Sequence, residues 1–159
     1  MASEAQRRYW IIVGSPENFR RTVDHGFTMQ GIKSRHRKKS ERMAPGDKLV
    51  YYLTGWKAFA AIATITSAYF ESTERIWESG NPKKATEDYP FRVQVSADIV
   101  LAAEDAVAAE PIARVLTYAK KWPPEHWTLA FQGNVHEIDQ GDYSLIREAV
   151  EASTPVTTG

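Results

Sequence analysis

The chain contains no cysteine. Disulfide bonds, thiolate nucleophiles and zinc sites with cysteine ligands are therefore excluded. It also lacks any apolar run approaching the roughly 20 residues that cross a bilayer, and its first ten residues show no export signal. We therefore expect a protein of the cytoplasm that does not enter the membrane.

Signatures of catalysis are also missing. The four histidines lie in no spacing of the HExxH type, no GxSxG step occurs, and the glycines are scattered rather than gathered in a phosphate-binding loop. Nothing places a nucleophile or an opposing carboxylate near the acid pair Glu104 and Asp105. We therefore expect no catalytic residues, no metal and no cofactor, and an enzyme is the weaker class of function.

The chain has no net charge, because 20 Lys and Arg residues balance 20 Asp and Glu residues. The distribution is uneven: residues 1–57 hold twelve basic and five acidic residues, and the remainder holds eight and fifteen. This asymmetry lets one cationic face meet a polyanion such as nucleic acid, although the two halves could instead pair across the fold. The candidates for contact with a nucleic-acid backbone lie in the basic segment, defined as residues 33–42: Lys33, Arg35, Arg37, Lys38, Lys39 and Arg42. The alternative for this segment is a solvated helix face.

Hydrophobic periodicity predicts one domain with five or six short strands and few helices. The predicted strands are residues 9–13, 47–54, 58–70, 91–99, and one or two more within 126–138. The predicted helices are about 16–24 and 142–151, with a short one within 102–121. Residues 27–32 read as a loop and 71–89 as an excursion with at most a helical turn. The pattern favours an α+β fold, a mainly antiparallel β-barrel with flanking short helices, over a parallel doubly wound sheet.

Aromatic residues in loops point to a planar ligand. Trp56 lies in a short polar connection between two predicted strands, and Phe27 follows a glycine just before the basic segment. Each stack of a base on an aromatic ring contributes about 1 to 3 kcal/mol, and extruding a base from a duplex costs a few kcal/mol, so two rings roughly offset one flip. Ser15 and Asn18, after the first strand, would then hydrogen-bond the edge of the base.

Six segments resemble EVE domains, and they occur in order along nearly the whole chain: YWIIVGSPENF, HGF, RMAPGDKLVYYL, FAAIATI, YPFRVQV and FQGNVHEID. The resemblance implies a PUA-like β-barrel, similar to the YTH domains that read methylated adenine in RNA through an aromatic cage. It implies a non-catalytic pocket for a modified base, methylated or hydroxymethylated, in DNA or RNA. The expected domain is residues 9–152, with a flexible N-terminus at 1–8 and a disordered tail at 153–159.

Matching the family position by position gives an expected base pocket. Ser15 and Asn18 correspond to the side that hydrogen-bonds the base. Phe27 resembles the first aromatic residue of the cage, and Tyr52 and Trp56 resemble the opposing wall.

Arg92 completes the expected site and lies in the Pro-x-Arg signature of the family. It either supports the fold or contacts the ligand. Two other classes of function stay open: an enzyme that acts on RNA or nucleotides, and a module that binds a small molecule. The choice between DNA and RNA, the kind of modification and the oligomeric state are also open.

Overall fold

The computed structural model describes residues 7–77 and 89–154. Most of the predicted flexible N-terminus and disordered tail lies outside the described residues. So do residues 78–88 of the predicted excursion.

The described residues form eight strands and four α-helices. The strands are β1 (Tyr9–Gly14), β2 (Met29–Ile32), β3 (Lys48–Leu53), β4 (Ala58–Ile65), β5 (Phe70–Glu71), β6 (Phe91–Val100), β7 (Val107–Ala108) and β8 (Val135–Ile138). The helices are α1 (Pro16–Asp24), α2 (Arg37–Arg42), α3 (Ala109–Ala113) and α4 (Gln140–Ser153). Short 3-10 turns connect several of them.

The strands make one curled sheet, a half-barrel, in the order β2-β6-β4-β3-β1-β8. β5 pairs with β6 and β7 pairs with β4. The β1–β3 pair is parallel and the other pairs are antiparallel. This mainly antiparallel sheet with flanking short helices confirms the predicted α+β fold.

The two faces of the sheet carry two separate cores, because successive side chains on a strand point to opposite faces. Tyr9, Ile11 and Val13 of β1 pack with residues of α3 and α4, and we call this the helix-side core. Trp10 and Ile12 pack on the other face, which we call the cavity-side core. Successive buried residues of β1 and β3 therefore belong alternately to the helix-side core and to the cavity-side core.

Two predicted elements differ from the structure. Residues 29–32 form strand β2 rather than a loop, because they pair with the edge of β6. The four residues of β2 include Gly31 and are too few to show the alternation of apolar and polar residues that predicts a strand. Residues 126–131 form part of the 3-10 helix Pro124–Phe131 rather than a strand. Pro123 and Pro124 lack an N–H for sheet pairing and suit a helix start, and His126 N donates to Pro123 O at 2.8 Å.

The other strong predictions hold in the structure. The first strand, the hairpin of β3 and β4 and the strand β6 are confirmed. Helix α1 begins at Pro16 and α4 covers the predicted last helix. Strand β4 ends at Ile65, earlier than the predicted strand over 58–70.

Candidate functional site

A small cavity lies at the carboxyl end of β1, on the cavity-side face of the sheet. Parts of β1, α1, β2 and β3 form its floor, and the rings of Trp77 and Tyr89 border it. Its free volume is about 20 Å³, which is room for about one water molecule. Its polar lining comes from five side chains besides Tyr89: Asn18, Thr22, Gln30, Tyr51 and Asn134.

Gly14 leaves the end of β1 open toward this cavity. Strand alternation places Gly14 on the same face as Trp10 and Ile12. A Cβ atom added at Gly14 would meet no heavy atom within 4 Å. The backbone at this point is therefore accessible to a bound molecule.

Helix α1 supplies one polar wall and holds the aromatic rings. The Ser15 hydroxyl caps the helix by accepting from Asn18 N at 3.1 Å. One turn apart on the helix, Asn18 and Thr22 face the same side. Asn18 Nδ2 donates to the Tyr89 hydroxyl at 3.3 Å, and Trp77 Nε1 donates to Thr22 Oγ1 at 2.8 Å. The two rings are thus fixed to α1 by side-chain hydrogen bonds.

Gly31 of β2 allows the rings to lie close to the sheet. A Cβ atom at Gly31 would lie 2.6 Å from Trp77 Cε3 and Cζ3, and 2.7 Å from Tyr89 Cβ. The centroids of the two rings are 5.9 Å apart, at an interplanar angle of 59°. Any larger residue at this position must displace the Trp77 ring and the Tyr89 side chain.

Arg92 holds the segments that carry these rings. Its side chain is 2% exposed. Its Nε donates to Tyr89 O at 3.0 Å, its Nη1 to Ser72 Oγ at 3.1 Å, and its Nη2 to Glu74 O. The guanidinium also lies 5.1 Å from the centroid of the Trp77 ring. Arg92 therefore supports the cavity wall from behind.

The structure brings some of the predicted pocket residues to the cavity. Asn18 lines it, and Ser15 caps helix α1 directly after Gly14, which also lines the cavity. Phe27 packs behind the lining, with its ring centroid 5.2 Å from that of Tyr51 and 6.1 Å from that of Phe19. Phe27 is 7% exposed, so its ring belongs to the cavity-side core.

The structure places Tyr52 and Trp56 away from this cavity. Tyr52 belongs to the helix-side core and stacks on Phe131, with centroids 4.4 Å apart. Trp56 is 43% exposed and borders a separate groove of about 510 Å³ between α1 and the end of β6. Neither ring faces Trp77 or Tyr89, and a contact of Tyr52 or Trp56 with a ligand stays a prediction.

Six polar or aromatic side chains of the cavity were not predicted from the sequence: Thr22, Gln30, Tyr51, Trp77, Tyr89 and Asn134. Gln30 lay in a predicted loop, and Trp77 and Tyr89 bracket a segment without periodicity. Tyr51 pairs with Ile12 in the structure and therefore lies on the cavity side, but the sequence shows neither this register nor which face carries the cavity.

The basic segment begins beside the cavity. Lys33 N donates to Asn134 Oδ1 at 2.9 Å, and Lys33 Nζ lies 5.8 Å from the centroid of the Tyr89 ring. Further along, Lys39 Nζ donates to Val135 O at 2.8 Å, which fixes α2 against β8. The other predicted backbone contacts are exposed: Arg35, Arg37, Lys38 and Arg42. Two of these form ion pairs, Arg37 with Glu41 and Arg42 with Glu137.

Two imidazoles lie among these cations. Burial, followed by the charges of Lys39, Arg35, His136 and Lys33, lowers the pKa of His36 to about 4. Burial also lowers the pKa of His136, and the nearby charge of Lys39 acts in the same direction. The cations that add to the effect of burial on the His36 pKa, Lys39, Arg35 and Lys33, also favour an anion at this surface.

Metal-binding groups of side chains and membrane-spanning helices are both absent from residues 7–77 and 89–154. Within that part of the chain, no three His, Asp or Glu side chains are grouped so that they could hold a metal ion. None of the helices described there is long and apolar enough to cross a membrane.

Comparison with known proteins gives a family and a fold. The family model of the EVE domain matches residues 8–149. UPF0310 protein PH1033 of Pyrococcus horikoshii is 26% identical over 150 residues, which are 88% of this chain and 97% of that protein.

Two solved structures resemble the chain in fold. The YTH domain of Zygosaccharomyces rouxii MRB1 protein, in complex with N6-methyladenosine RNA, has a TM-score of 0.66 and 16% identity, over 95% of this chain and 91% of that one. The NMR structure of Rpa0253 from Rhodopseudomonas palustris has a TM-score of 0.57 and 17% identity, over 91% of this chain and 94% of that one.

Proposed function

This chain belongs to the EVE domain family, and we propose that it is a non-catalytic protein that binds nucleic acid and holds one modified base in the cavity at the end of β1. The base is methylated or hydroxymethylated, in RNA or DNA. One observation carries the proposal: a cavity with buried polar groups and two bordering aromatic rings opens beside a cationic segment.

The proposal requires the cavity to widen. Its free volume of about 20 Å³ matches one water molecule, and a nucleobase is several times larger. Trp77 is the wall that we propose to move, because its polar atom is held by a single hydrogen bond to Thr22. The displaced indole would then stack on the base, which contributes about 1 to 3 kcal/mol.

Single-stranded nucleic acid should bind more tightly than a duplex. Extruding a base from a duplex costs a few kcal/mol, which stacking on Trp77 and Tyr89 only roughly offsets. Lys33, next to Tyr89, is placed to contact a phosphate near the bound base. The rest of the basic segment would follow the backbone, with Arg37 and Arg42 contributing less because each already pairs with a glutamate.

Likeness to known structures supports a modified base as the ligand. The MRB1 YTH domain, which shares the fold, is in complex with N6-methyladenosine RNA. N6-methyladenine is therefore the first base to test, together with 5-methylcytosine and 5-hydroxymethylcytosine.

Titration of short, labelled single-stranded RNA and DNA tests the proposal. Each oligonucleotide carries one modified base or its unmodified parent, and binding is followed by fluorescence anisotropy at several salt concentrations. We expect one modification to bind about fourfold or more above its parent, since a buried methyl group contributes about 0.8 kcal/mol. A plot of the logarithm of affinity against the logarithm of salt concentration should have a slope of roughly −0.7 per phosphate contacted. Equal binding of modified and parent bases would contradict the proposal.

Two other assays with the purified protein test the alternative functions, an enzyme and a small-molecule module. Conversion of the RNA by purified protein, abolished by one point mutation, would favour an enzyme. Salt-insensitive binding of a small metabolite, without affinity for any oligonucleotide, would favour a small-molecule module.

A further inference from the structure

Two buried polar atoms of the cavity lack a hydrogen-bond partner among the described residues. They are Gln30 Oε1 and the hydroxyl oxygen of Tyr51. Gln30 is 5% exposed and Tyr51 is 2% exposed, and both line the cavity at the end of β1. An unmet buried polar group is destabilising, so native proteins rarely keep one without a reason.

The orientation and protonation of these two groups are fixed. Gln30 Nε2 donates to Gly31 O at 2.9 Å, so the amide presents its oxygen, a hydrogen-bond acceptor, as the unpaired end. Burial raises the pKa of Tyr51 above its ordinary value, so the phenol keeps its proton. The pair therefore offers one acceptor and one hydroxyl that can donate.

Other polar groups of the cavity already have partners in the structure. Asn18 pairs with Tyr89, Thr22 accepts from Trp77, and Asn134 accepts from the backbone N–H of Lys33. A molecule that enters the cavity therefore meets Gln30 Oε1 and the Tyr51 hydroxyl as groups that are unpaired before it binds, and Thr22 Oγ1 joins them once the Trp77 indole moves.

We propose that Gln30 Oε1 accepts a hydrogen bond from an N–H on the Watson–Crick edge of the bound base, and that the Tyr51 hydroxyl donates to the ring or carbonyl acceptor beside it. This inference rests on the proposed function and defines its ligand more narrowly. The site accepts a base that keeps an N–H on this edge, including an amino group with one methyl. It rejects a base whose amino group carries two methyl groups, because Gln30 Oε1 would then stay unpaired.

Matched pairs of modified bases test the role of Gln30. Single-stranded oligonucleotides carry N6-methyladenine or N6,N6-dimethyladenine, and 5-methylcytosine or its N4,N4-dimethyl derivative. Wild-type protein should bind one of these pairs. Within that pair, we expect its affinity for the member with an N–H to be about tenfold or more higher than for the dimethylated member, because sites built around a hydrogen bond discriminate strongly against analogues that lack it. Gln30→Met, which keeps the length of the side chain, should lose this preference. Binding of both members equally by wild type would overturn the inference.

Tyr51→Phe gives a second test, which separates an effect on the affinity for the base from an effect on the stability of the protein. Removing an unpaired buried hydroxyl should leave the melting temperature of the free protein unchanged or raise it, while affinity for the preferred base falls by about fivefold or more. Tyr52→Phe is the matched control, because Tyr52 belongs to the helix-side core, and its affinity should equal that of wild type.

A single bound water is the competing occupant. If a permanent water satisfies both atoms, Tyr51→Phe should lower the melting temperature and leave affinity unchanged, and this result would overturn the inference.

The outcomes separate this inference from the proposed function. If wild type binds no modified oligonucleotide above its parent, the proposed function fails and the inference falls with it. If wild type is selective but Gln30→Met and Tyr51→Phe bind as it does, only the hydrogen-bond assignment fails.

Discussion

Replacing Trp77 with alanine should lower the affinity for the preferred modified oligonucleotide by about 5- to 150-fold, the equivalent of losing one stack of about 1 to 3 kcal/mol. The indole borders the cavity, is 4% exposed and lies next to Tyr89. Anisotropy titrations of wild type and variant measure the change. Affinity for the unmodified parent should fall less, because backbone contacts contribute equally to both.

Two further variants make the Trp77 result interpretable. Trp77→Phe keeps a ring but removes the hydrogen bond to Thr22, so we expect an intermediate affinity and a fold that survives if the alanine variant unfolds. Trp56→Ala removes an exposed tryptophan from the separate groove and should change affinity by less than about twofold. A larger loss for Trp56→Ala than for Trp77→Ala would support the wall predicted from the sequence and contradict the site proposed from the structure.

Gly31→Ala should lower both stability and affinity. The new methyl group would collide with the Trp77 ring and with Tyr89 Cβ. Inserting a methyl group into a packed core typically costs about 1 to 3 kcal/mol. Urea unfolding measures the loss of stability, and the titration above measures the loss of affinity that follows from displaced walls.

Gly14→Ala is the matched control for Gly31→Ala. Its methyl group would meet nothing within 4 Å in the protein, yet it would point into the space at the cavity. We expect the free energy of unfolding to stay within about 0.5 kcal/mol of wild type, while affinity falls. Unchanged affinity in both glycine variants would place the base somewhere else.

The fold followed from the sequence where local patterns were strong. The apolar run of β1, the Ser15-Pro16 helix start and the alternation of β6 each specify one element without help from the rest of the chain. Strand β2 could not be found in this way, since its four residues are defined by pairing with β6.

The site was less predictable because its walls come from distant parts of the chain. Asn18 was identified beside the first strand and lines the cavity. Trp77 and Tyr89 meet there because Arg92 binds the backbone or side chains of both segments and Gly31 leaves room for the rings. No periodicity in the sequence records these tertiary contacts.

The two adjacent tyrosines of β3 show a subtler limit. The sequence-based pocket used Tyr52, and the cavity contains Tyr51. A shift of one residue on a strand moves a side chain to the opposite face. The amino-acid sequence alone does not show which face of the sheet carries the cavity and which face packs against α4.

The most direct test of the proposed base site is to follow the indole N–H signals of the five tryptophans by ¹H–¹⁵N NMR during titration with the preferred modified oligonucleotide. The Trp77 signal is assigned by its loss in Trp77→Phe, and Trp10, whose Nε1 donates to Asp47 at 3.1 Å, serves as a buried reference. We predict a large shift of the Trp77 signal as its bond to Thr22 breaks, with little change at Trp10 or Trp56. A Trp77 signal unchanged at saturation, or a shift confined to Trp56, would contradict the proposed site.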